Sequence, residues 1–100
     1  MNPQMMNQLR KMQQEMAKAQ EDIAGSSVEG TAGGGMVTVS MSGDFHVTKV
    51  VVKPDAVDPS DVETLEDLIV AAFNDARGKA EAYAAQRMSA VTGGLKIPGM

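Results

Sequence analysis

One hundred residues, 43% of them hydrophobic, make one small domain. The absence of cysteine excludes disulfides, thiolate metal sites and a cysteine nucleophile, and no apolar run is long enough for a transmembrane helix. A net charge of −4 argues as a whole against a nucleic-acid binder. Its distribution argues otherwise. Residues 1–20 carry three bases against one acid, residues 21–53 four acids against two bases, residues 54–67 six acids and no base, and residues 68–100 four bases against two acids. The N-terminus lacks the basic, apolar pattern of a signal peptide, so a soluble cytoplasmic protein is expected. Aromatic residues are limited to Phe45, Phe73 and Tyr83. So small a chain with so few bulky residues is expected to complete its core in an oligomer.

The first predicted element is a helix from Pro3 to Ala24. Met5, Leu9, Met12, Met16, Ala19 and Ile23 recur at steps of four and three, the seam of a coiled coil. Pro3 suits a first turn, and Gly25 followed by two serines suits a stop. Lys11 with Glu15, and Lys18 with Asp22, stand four apart and can pair along the helix. The Met-rich stripe, which includes Met6, is expected to pack against a later helix.

Gly25 to Gly35 is rich in Gly, Ser and Thr, with a short edge strand expected at Ser27–Thr31. Met36 to Ser42 alternates, with Val37, Val39 and Met41 on one face, as a half-buried strand does. Gly43-Asp44 reads as a two-residue hairpin loop, which would pair Met41 with His46, Val39 with Thr48 and Val37 with Val50. Val47, Lys49 and Val51 then share the opposite face. Pro54 to Val57 turns the chain. Asp58 is the expected N-cap of a second helix with Pro59 at its first position, and Ser60 to Glu63 offers a capping box. That helix is expected to run to about Val91 with Val62, Leu65, Ile69, Ala72, Ala76, Ala80 and Tyr83 in line. Gly78 interrupts it. Residues 1–92 form the expected domain and residues 93–100 a flexible tail.

The first helix enters the sheet at its C-terminus and the second leaves the sheet at its N-terminus. Packed antiparallel, their free ends lie side by side, and these are the basic segments. The acidic stretch stays near the sheet. A cationic tip on a projecting helical arm is the expected result, and phosphate backbone is its natural target. The tip has no aromatic residues for stacking single strands and no helix-turn-helix spacing, so duplex binding of low sequence dependence is expected.

Other constellations lead nowhere as far. Gly30 to Gly35 resembles a phosphate-binding loop in composition only, because no Lys-Ser or Lys-Thr follows. Asp55, Asp58 and Asp61 step by three without the spacing of a calcium loop, and two of them have capping duties. His46 is the only histidine, and no serine sits in a nucleophile elbow. No enzyme, metal, cofactor, small-molecule substrate or membrane partner is expected.

Residues 65–76, Leu-Glu-Asp-Leu-Ile-Val-Ala-Ala-Phe-Asn-Asp-Ala, resemble the signature of the YbaB/EbfC family of bacterial nucleoid-associated proteins. The Met12-Gln13-Gln14-Glu15-Met16 run, the Val37-x-Val39 strand, Gly43, the Lys49–Val52 strand, the Met88–Leu95 stretch and the closing Pro98-Gly99-Met100 agree in order. The resemblance implies an α+β fold and an intertwined homodimer whose helices project like tweezers. It further implies DNA binding and a role in nucleoid organisation or gene expression, without catalysis. Carried over by position, the DNA contacts would be Arg10, Lys11 and Lys18 on the first helix and Arg77, Lys79 and Arg87 on the second. Leu65, Leu68, Ile69, Ala72 and Phe73 look like core and dimer contacts, and Asn74 and Asp75 could cap or bridge to the sheet or to a second protomer. The alternative is a protein-interaction adaptor that uses the Met-rich stripe or the acidic 55–67 surface.

Overall fold

The computed structural model describes residues 2–92. Helix α1 (Pro3–Ala24) leads into strands β1 (Val28–Ala32), β2 (Val37–Met41) and β3 (Val47–Val52). A 3-10 turn at Pro54–Ala56 precedes helix α2 (Val62–Thr92). The fold is α+β, with the strands antiparallel in the order β1-β2-β3. The expected tail, residues 93–100, lies outside the described residues.

Helix α1 starts where the Asn2 side chain accepts a hydrogen bond from the Gln4 amide at 2.7 Å, with Pro3 in the first turn. It stops by being tied to the sheet. The Ile23 carbonyl accepts from the Ser26 hydroxyl at 2.6 Å and from the Gly43 amide at 3.1 Å. The end of the helix and the β2–β3 hairpin are therefore one joint.

That hairpin is wider than the two-residue turn expected from sequence. Gly43, Asp44 and Phe45 form the loop. The Phe45 amide donates to the Ser42 carbonyl at 3.0 Å, the Ser42 amide donates to the His46 carbonyl at 2.8 Å, and Phe45 takes a left-handed φ of 70°. A further irregularity beside Ser40 and Met41 sets Val47 opposite Met41. Val39 consequently faces Val50 and Val37 faces Val52, a shift of two residues from the predicted pairs. Side-chain chemistry explains the wider loop. The Ser42 hydroxyl donates to the Asp44 carboxylate and accepts from the His46 amide at 3.2 Å. The Asp44 carboxyl is held below its ordinary range by the Ser42 hydroxyl and then by the His46 ring, 3.1 Å away on the surface.

The expected Asp58 cap also moves. Asp58 instead closes its own turn, accepting from the Ser60 amide at 2.9 Å and the Ser60 hydroxyl at 2.6 Å. Asp61 caps α2, accepting from the Thr64 amide at 3.3 Å and its hydroxyl at 2.6 Å. Asp58 is held below the ordinary carboxylate range by those two Ser60 bonds.

The core is where α2 lies on β1 and β2. Val37, Val39 and Met41 of β2 pack with Ala72, Ala76 and Ala80 of α2, all buried, and Val28, Ala32, Val52, Leu65 and Leu68 close around them. The alanine line lets the helix come very close. A Cβ built on Gly30 of β1 would stand 2.1 Å from the Ala76 nitrogen and 2.3 Å from the Ala72 carbonyl oxygen. Two side-chain ties fasten the same place. The Asp75 carboxylate accepts from the Thr31 amide at 3.0 Å, and Lys79 donates to the Glu29 carbonyl at 2.9 Å. The expected bridge from Asp75 to the sheet is thus present.

Beyond the sheet, α1 and α2 run antiparallel and form an arm. Ala19 and Ile23 are buried there, whereas Met5 and Leu9 remain 55% and 46% exposed. The Met-rich stripe therefore does not pack along its whole length on α2, as sequence suggested; only its C-terminal continuation does. An arm of this kind stretches the molecule. Its radius of gyration is 19.5 Å, against about 13 Å for a compact chain of this length.

Candidate nucleic-acid interface

The arm and the head carry different charge. Residues 3–24 hold three bases and three acids, residues 77–92 three bases and one acid, and residues 25–76 two lysines against nine carboxylates. The head is strongly acidic, whereas the arm beyond the sheet is neutral, residues 81–92 adding only Glu81 and Arg87 to the balanced α1, so the net-positive tip expected from sequence does not form.

The six candidate DNA contacts do not gather at one tip. Arg10 and Lys11 are exposed near the free end of α1, and Lys11 lines an open groove of about 530 Å³ with Met5, Leu9, Met12 and Glu15 of α1 and Val91 of α2. Lys18 and Arg87 come together in an adjoining groove with Glu15, Asp22, Ala90 and Val91. Arg87 is ion-paired there, its guanidinium 2.6 Å from the Asp22 carboxylate. Asp22 has left its expected partner Lys18 for α2, because an arginine on the facing helix offers a charged hydrogen bond. Among the described residues the expected Lys11–Glu15 and Lys18–Asp22 pairs are not closed.

Arg77 and Lys79 are not at the tip at all. Lys79 lies level with β1, holding the Glu29 carbonyl and lying 3.2 Å from Asp75. Arg77 pairs with Glu81 at 3.0 Å one turn along. Standing two apart, they leave α2 on different sides and cannot form one patch. Asp75 is held below the ordinary carboxylate range, first by the Thr31 amide and second by Lys79. Sequence periodicity could assign these residues to a helix but not to a height along it, since the overlap of α2 with the sheet is a tertiary fact. Asp22, the acid that occupies Arg87, was visible in sequence only as a member of an intrahelical pair.

The five expected core and dimer residues divide as cleanly. Ala72 is buried, and Leu65 and Leu68 pack on the core. Ile69 and Phe73 stay 36% and 37% exposed on α2. On β3, Val47 and Val50, which share the core face with Met41 and Val39, are likewise exposed, because α2 lies mainly on β1 and β2; Val51, paired with Thr38, is exposed on the other face.

Comparison with known proteins gives this arrangement a context. A nucleoid-associated protein of Roseiflexus castenholzii is 48% identical over 100 residues, covering 99% of each chain. One of Chloroflexus aurantiacus is 50% identical over 93 residues, 93% of each chain. The crystal structure of an uncharacterized protein from Helicobacter pylori, HP0035, shares the fold at a TM-score of 0.71 and 23% identity, covering 96% of this chain and 99% of that one. These curated relatives are named for the nucleoid and not for a catalytic activity. The model of the YbaB/EbfC DNA-binding family matches residues 1–95, and the chain, with its helix–sheet–helix fold, belongs to that family.

Proposed function

We propose that the chain acts as a homodimer that holds duplex DNA by its phosphate backbone, with little sequence preference. In that role it organises the bacterial nucleoid or modulates gene expression there. The observation that carries this reading is the partition of charge between a two-helix arm and a strongly acidic head. Phosphates are repelled by the head and not by the neutral arm, so the arm, with its cations unpaired among the described residues, is the part that meets DNA. Arg10, Lys11 and Lys18 make no ion pair with any described residue, and they supply the primary contacts. Arg77 and Lys79, tied to Glu81 and to the sheet edge, add to the long-range field more than to contact. The uncovered β3 valines with Ile69 and Phe73 support the second copy. Pairing through them doubles the arms.

A fluorescence anisotropy titration with duplex DNA at about 50 and about 200 mM salt tests this. Six open cations per dimer set the upper limit of the log–log salt slope at about −5. Replacing Arg10, Lys11 and Lys18 by Gln should weaken binding at least about tenfold at low salt and flatten the slope, whatever the DNA sequence. Unchanged binding would remove the arm from the interface. The exposure of Met5 and Leu9 favours one other reading, a protein-interaction adaptor. That reading requires no duplex affinity at moderate salt, and capture of a protein partner that is lost when Met5 and Leu9 become Ser.

A further inference from the structure

We infer that the Asp22 carboxylate is an internal stand-in for a DNA phosphate, so that the groove between α1 and α2 is a phosphate site closed by the protein's own acid. This deepens the DNA-binding reading above and rests on it. Lys18 and Arg87, from two different helices, line one groove with Glu15 and Asp22, and of the two acids it is Asp22 that holds Arg87, with an oxygen 2.6 Å from the guanidinium. A guanidinium recognises a carboxylate and a phosphate through the same N–H fork, so one can replace the other on Arg87. Asp22 and Arg87 both remain partly exposed, with side chains 42% and 32% accessible, so an incoming phosphate can reach the pair. An exposed ion pair is weak enough to be exchanged. Arg10, Lys11 and Lys18 bind without such an exchange. Arg87 joins only where phosphate density is high enough to displace Asp22, with Lys18 beside it as the second cation. The arm therefore holds affinity in reserve.

The test is duplex titration of the full chain in a double-mutant cycle. Asp22→Asn should tighten binding about fivefold at low salt and steepen the salt slope by about one per protomer, for one added phosphate contact. In an Arg87→Gln background the same change should gain less than about twofold, the gain expected from removing any one acid. Glu21→Gln removes the same charge one position away, outside that groove, and should also gain less than about twofold. Equal gains in both backgrounds, or from Glu21→Gln, would reduce Asp22 to general charge and overturn the inference. Weaker binding, or loss of helical circular dichroism, in Asp22→Asn would make the pair a strut between the helices and overturn it too. If wild type binds duplex and the cycle is additive, only the inference falls. If neither wild type nor Asp22→Asn binds, the DNA reading falls with it.

Discussion

Gly30 is the residue on which the contact between helix and sheet turns. The α2 backbone passes so close that a methyl group at this position would overlap both the Ala76 nitrogen and the Ala72 carbonyl. Backbone cannot step aside as a side chain can. Gly30→Ala should therefore cost about 3 kcal/mol, read as a lower urea midpoint at unchanged slope. Asp75 contributes at the same place by charge. Its folded carboxyl titrates below the ordinary value of 3.8, so the ionised form is favoured by folding. The stability it adds is present above that ordinary value and is lost as pH falls through the lower folded value. Asp75→Asn should melt below wild type at neutral pH, and the gap should close as melts are repeated at increasing acidity below 3.8. From sequence, Gly30 is one glycine in a Gly-rich stretch. Nothing local marks it, because the atoms it must avoid are more than forty residues away.

At the scale of elements, α1 was legible from end to end. Its seam, Pro3 and the serines after Gly25 are local signals, and the structure begins and ends the helix at Pro3 and Ala24. The hairpin was not, because its register depends on which groups Ser42, Asp44 and Gly43 hold, and Gly43 is engaged by Ile23 from another element. The start of α2 fell between two aspartates of similar capping ability, and the turn formed by Asp58 and Ser60 decided for Asp61. Gly78 shows a local rule overridden. The helix runs through it unbroken, and a Cβ there would meet nothing within 4 Å. Gly78→Ala should add about 0.5–1 kcal/mol by restricting the unfolded chain and restoring helix propensity, seen as a melting temperature about 4 °C higher.

For the whole molecule, the sheet is wider than its cover. Three strands at about 4.8 Å spacing make a surface of about 14 Å, and one helix of about 10 Å diameter covers two of them. β3 is left with Val47 and Val50 exposed on the core face, and α2 with Ile69 and Phe73 exposed. An exposed valine-rich edge strand of this kind attracts another chain. The helix of a second copy would supply the missing cover. Ile69→Asp, which puts charge on that flank without touching the buried line of Ala72, Ala76 and Ala80, should leave the chain monomeric at micromolar concentration, where the wild type is expected to dimerise. Sedimentation equilibrium reads the change directly, and a monomeric wild type or a dimeric variant would reject this surface.

Sequence by itself determined the elements, the strong acidity of the segment that precedes α2 and the family to which their order belongs. All three follow from neighbours along the chain: helical and strand periods, capping residues and runs of like charge. Only the tertiary structure decided the hairpin register, the split between buried and open α2 residues, and the fate of each cation. Arg87 meets Asp22, and Lys79 meets Glu29, across 65 and 50 residues of chain. Such partners are chosen by how far α2 slides along the sheet before Gly30 and the alanines lock it, and no local pattern encodes that distance.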